Sequence, residues 1–148
     1  MKISVITWLI IIFGIITFLP LMYSQFMLLI KPNSRLSKDL IIGKNLDWRD
    51  KTHQESALAF AWADLLIVLP TIIFGTIGIL SEQIYGYLVI MIPGAIAIYF
   101  SLVFWVMEKK YSYTSIGYLA YYTYYWGSFL YWGVGVLINS ILTISSRF

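Results

Sequence analysis

Asp64 is a lone carboxylate inside a long apolar run, with Ala-Phe-Ala-Trp-Ala before it and Leu-Leu-Ile-Val after it. An acid in such a run is costly in hydrocarbon unless it faces protein, water or a partner, so its presence points to a binding site or a buried polar lock. Alternating steps of four and three along the run pass through Ala57, Ala61, Asp64, Val68, Thr71, Gly75 and Gly78. All but Val68 are small or polar, a stripe that lets another helix approach closely and keeps the acid off the lipid.

At 1.5 Å per residue, Asp64 lies about 12 Å below the nearer polar boundary. The same count on the neighbouring apolar runs reaches Tyr23 and Gln25, then Tyr99, then Tyr122, Tyr125 and Trp126. No Lys, Arg or His occurs within these runs. Asp64 must therefore be protonated, hydrogen-bonded by Tyr, Gln or Thr71, hydrated, or paired with a bound cation. An acid among aromatic faces suits an organic cation, through charge and cation–π attraction, or a proton passed along the phenols. The competing reading is structural: one carboxyl held by polar neighbours locks the helices together.

The elements that must position this group follow from hydropathy. Of the 148 residues 60% are hydrophobic and 11% charged, and the mean hydropathy is +0.81, far from soluble-domain averages. Four runs are long enough to cross about 30 Å of hydrocarbon as helices: 4–30, 57–80, 86–107 and 118–142. The expected fold is an all-α integral membrane protein, a single four-helix bundle over residues 1–148. The first run is too long and too poorly followed by small residues to be a cleaved signal.

Lys and Arg set the orientation. Six of them lie between residues 31 and 56, and Lys109 and Lys110 join them on the same side; Lys2 and Arg147 lie on the other. Positive charge is retained in the cytoplasm, which places the 31–56 loop there and both termini on the non-cytoplasmic side of the cell membrane. Within the loop, Ser34 is expected to cap a short interfacial helix ending at Ile42, with Gly43 as its stop. Thr52 and Glu55 have the spacing of a capping box for the second span. Pro20, Pro70 and Pro93 interrupt three spans and are expected to bend them.

The fourth run, Tyr-Leu-Ala-Tyr-Tyr-Thr-Tyr-Tyr-Trp-Gly, places aromatics on every side of its helix. Outer tyrosines such as Tyr111, Tyr113 and Tyr118 fit a headgroup belt, whereas Tyr122, Tyr125 and Trp126 run deeper and need partners. Small faces on the third span (Gly94, Ala97, Ser101) and on the fourth (Ala120, Thr123, Gly127; Ser128, Gly135, Asn139) predict tight packing and a homo-oligomer.

The exclusions are as informative. With 0 Cys there is no thiolate metal site, iron–sulfur cluster or disulfide framework. His53 is the single histidine, too few for a metal cluster, so neither metal nor cofactor is expected. The net charge of +3 reports topology, and no motif suggests nucleic acid. No nucleotide-binding loop, zinc-protease motif or nucleophile elbow is present, so the chain leans away from an enzyme; a lipid-acting site on Asp47 and Asp50 is the weakest alternative.

The general plan, four short spans with one membrane acid and aromatic lining, is similar to that of the small multidrug transporters. It departs from them in carrying the acid in the second span and in its long loop. The sequence thus predicts a small channel or transporter for an ion or small cationic solute, its site formed by Asp64, Tyr23, Gln25, Thr71, Tyr99, Tyr122, Tyr125 and Trp126. The alternative is a non-transporting module that holds lipid or a partner membrane protein through its aromatic fourth helix and basic loop. Expected partners are membrane lipids, a second copy of the chain, and a small cation or proton.

Overall fold

The computed structural model describes residues 3–108 and 125–147. It is all-helical, without a strand among the described residues, and four of its helices are long and apolar enough to cross a membrane. In chain order the elements are α1 (Val5–Ile30), α2 (Arg35–Ile41), α3 (Lys51–Ala63), a π-helical turn (Asp64–Val68), α4 (Leu69–Leu80), α5 (Ile84–Glu108) and α6 (Gly127–Ser145). The second span is continuous from Lys51 to Leu80 and changes helical pitch at the acid.

The connections follow the local chemistry. Ser34 caps α2 by accepting from the Ser37 amide at 3.1 Å, and Gly43 ends it at a φ of 121° that side chains rarely tolerate. Ser37 then ties this helix to α1, donating to Met27 O and Lys31 O. The expected capping box fails by two residues: Asp50, not Thr52, caps the second span, accepting from the His53 amide at 2.8 Å. An anionic acceptor at a helix N-terminus is favoured by the helix dipole over a neutral hydroxyl. Glu55 turns to Lys51 instead, at 3.4 Å. A 2.6 Å ion pair between Lys38 and Asp47 closes the loop, and with Trp48's amide it holds the Asp47 carboxyl below its ordinary range.

Packing divides the second span between two neighbours. Its first half and the π turn lie against α1, while α4 packs on α5. The α4–α5 hairpin is closed by glycines on both sides. A Cβ on Gly75 would meet Ile90 N at 2.9 Å, one on Gly78 would meet Gly86 Cα at 2.6 Å, and one on Gly86 would strike the backbone of Ile79 and Gly78. The α5–α6 seam repeats the device, with Gly94 under Val136 and Gly133 against Gly94 O. Ser101 donates across this seam to Trp126 O at 3.1 Å. The small faces at Gly94, Ala97 and Ser101, and at Gly127, are thus buried within one bundle.

The core runs through Phe18, Met22, Val68, Tyr87, Phe129, Trp132 and Val136. Large apolar side chains such as Ile16, Leu66, Phe74, Leu102 and Ile141 lie exposed on the outer surface, as expected of helices whose surroundings are hydrocarbon. The fourth span extends three residues beyond its expected end, to Ser145. Its expected start, with Tyr111, Tyr113, Tyr118, Ala120 and Thr123, lies outside the described residues.

Two outcomes are expected. Gly86→Leu should lower unfolding stability in detergent by about 1–3 kcal/mol or prevent folding, because backbone occupies the space its side chain needs. The Lys38–Asp47 closure is present above the unfolded Asp pKa of about 3.9 and is lost as pH falls through Asp47's lowered value. Amide exchange over residues 43–50, corrected for its intrinsic pH dependence, should therefore rise below about pH 4.

Candidate functional site

Asp64 opens the π turn, its own amide donating back to Phe60 O and Ala61 O, while the Leu69 amide reaches Asp64 O across the widened turn. Pro70 follows immediately and has no N–H to continue the regular ladder. Thr71 turns its hydroxyl back onto the same turn, donating to Ile67 O at 2.7 Å and Val68 O at 2.9 Å. The carboxyl group itself points into the bundle, 7% exposed, where Gln25 Nε2 of α1 donates to Oδ2 at 3.0 Å. Among the described residues no cation pairs with it. Gln25 Oε1 is also buried and finds no hydrogen-bond partner among the described residues.

The pair sits deep in a cavity of about 680 Å³. Arg49, Asp50 and His53 stand at the loop end of this cavity, and Asp64 lies eleven residues beyond His53, about 16 Å along the helix. The walls between are aromatic. Phe60 meets Phe100 and Phe104 edge-on at 5.2 and 5.3 Å, and Phe104 stacks on Trp126 at 4.5 Å. Phe18, Val68 and Phe129 line the deepest part.

Beyond that depth the bundle is shut by rings. Phe18 packs against Phe129 at 5.2 Å and against Trp132 at 4.7 Å. Trp132 is pinned by a 3.0 Å hydrogen bond to Ile10 O and by Gly14, where a Cβ would lie 2.5 Å from the indole nitrogen. On its far side is a second cavity of about 30 Å³, large enough for a water molecule. Its polar lining is Thr7, Thr76, Asn139 and Ser140; Asn139 donates to Thr7 Oγ1 at 3.2 Å, and Ser140 Oγ is buried without a partner.

Of the residues expected to form the site, Asp64, Gln25, Tyr125 and Trp126 line the large cavity. Tyr23 and Tyr99 are 53% and 63% exposed and lie outside its lining, and Thr71 turns back to its own helix. Tyr122 lies outside the described residues. The walls are made by phenylalanines: Phe100 shares the depth of the acid and Phe60 and Phe104 lie about one turn nearer the loop, a signal that a search for polar groups passes over. No group of acidic or histidine side chains able to hold a metal occurs among the described residues.

No protein-family model matches the chain, and no curated protein or solved structure matches it. The class defined by fold and site is therefore a multi-pass helical membrane protein with an aromatic cavity ending on a buried carboxyl–amide pair.

Gln25→Leu removes the hydrogen-bond donor to the buried carboxyl group and should lower stability by about 1–3 kcal/mol. Adding Asp64→Leu should recover much of that loss, because removing both partners is milder than stranding one. Thermal unfolding of the single and double variants in detergent measures the coupling.

Proposed function

We propose that this chain is a small membrane transporter for organic cations, with the Asp64–Gln25 pair as its binding centre. The observation that carries the reading is the position of an uncompensated acid at the blind end of an aromatic cavity. A carboxylate there attracts a cation, and the surrounding ring faces stabilise a desolvated positive charge that water can no longer reach. The cavity volume suits a small organic molecule better than a bare ion.

The positive-inside bias of the 31–56 loop supports a cytoplasmic mouth for the cavity. A solute would enter past Arg49 and His53, slide along Phe60, Phe104 and Trp126, and come to rest at Asp64. The Phe18–Phe129–Trp132 cluster separates this position from the small, mostly apolar cavity in the opposite half. Passage to the other side then requires those rings to part, and the π turn beside them is the weakest section of the adjoining helix. A lipid held permanently in the cavity is the competing occupant, consistent with a non-transporting module.

Uptake of a fluorescent styryl-methylpyridinium cation into proteoliposomes is expected to depend on the protein and to fall about tenfold or more in Asp64→Asn, with folding unchanged. Phe18→Ala is expected to raise passive leak of the same probe. Wild-type flux in Asp64→Asn, together with a stoichiometric co-purifying lipid, would establish the module instead.

A further inference from the structure

Gln25 carries information beyond the charge of its neighbour. Its Nε2 is committed to Asp64 Oδ2 at 3.0 Å, and the amide is planar, so Oε1 is held beside the carboxyl group. That oxygen is buried without a hydrogen-bond partner among the described residues, on a side chain that is 8% exposed and lines the cavity. Ser24, the adjacent hydroxyl, is already committed to Leu21 O at 2.7 Å. The blind end of the cavity thus offers acceptors: an orphaned amide oxygen and the remaining lone pairs of the carboxyl group. Acceptors in that number call for a ligand with several N–H donors on one atom.

We propose that this end of the cavity binds a primary ammonium group, carried on an apolar or aromatic body lying against the wall formed by Phe60, Phe104 and Trp126. The inference rests on the cation reading above and sharpens it. An –NH3⁺ group has three donors, enough to reach both Asp64 and Gln25 Oε1, and it relieves the buried oxygen that otherwise stands alone. A quaternary ammonium of the same body keeps the charge and the ring contacts but has no N–H to give Gln25. Discrimination between N–H and N–CH3 therefore falls on Gln25, whereas discrimination between charged and neutral ligands falls on Asp64.

Binding of 2-phenylethylammonium, its N,N,N-trimethyl analogue and uncharged 2-phenylethanol to the full chain in nanodiscs, read by tryptophan fluorescence at neutral pH, tests this. The primary ammonium is expected to bind about tenfold tighter than the trimethyl compound. In Gln25→Leu the ratio of the two affinities should shrink to about twofold or less, and Asp64→Asn should weaken both cations. Equal affinities for the two cations in the wild type, a comparison that needs no variant, would overturn the ammonium inference and leave the cation site standing. So would a preference that survives in Gln25→Leu. If neither cation binds better than the alcohol, both the inference and the transporter reading fail.

Discussion

A carboxyl group placed halfway through a hydrocarbon layer has to be kept from lipid, and most of this architecture follows from that constraint. The second span turns its small-residue face inward at Asp64, and α1 contributes the amide that meets it. Aromatic side chains from α3 and α5, with Tyr125, Trp126 and Phe129, wall the remaining space. Truncating that wall would open the acid to lipid; filling it would leave no space for a ligand. The buried hydrogen bond between α1 and the π turn is also the polar tie between the first two spans at this depth.

Glycine does for the rest of the bundle what polarity does for the site. Membrane helices gain no hydrophobic drive from meeting one another, so they depend on close contact and dispersion. Gly75, Gly78 and Gly86 bring α4 and α5 to backbone contact, and Gly94 and Gly133 do the same for α5 and α6. Gly14 serves a different end, making room for the Trp132 indole and so setting the ring that closes the cavity floor.

Spans and acid were legible in the sequence because hydropathy and charge act through composition alone. The first and third spans begin and end within two residues of expectation, the second ends at Leu80 as expected, and the Ser34 to Gly43 helix appears as anticipated. The inward face of the second span was also legible, since Ala61, Asp64, Val68, Gly75 and Gly78 are all buried. Depth alone could not separate Gln25, which meets the acid, from Tyr23, which faces out; two residues along a helix is more than half a turn. Tyr99 fails for the same reason, with its neighbour Phe100 taking the inward position. The capping residue was misread because Asp50 and Thr52 are both competent caps, and the loop's tertiary contacts choose between them.

The π turn has a consequence for lineage and engineering. A π turn is equivalent to one residue inserted into an α-helix, and each residue of an α-helix advances it by about 100°. What looks like a single stripe from Ala57 to Gly78 is thus two stripes out of phase, the first serving α1 and the second α5. Deleting one residue between Asp64 and Val68 would restore regular helix and leave Gly75 and Gly78 on their seam, because the turn absorbs its extra residue within itself, whereas the same deletion in the regular helix of α4 before Gly75 would swing both glycines away by about 100°. The turn is therefore the one place in this span where the chain can gain or lose a residue without moving either helix seam.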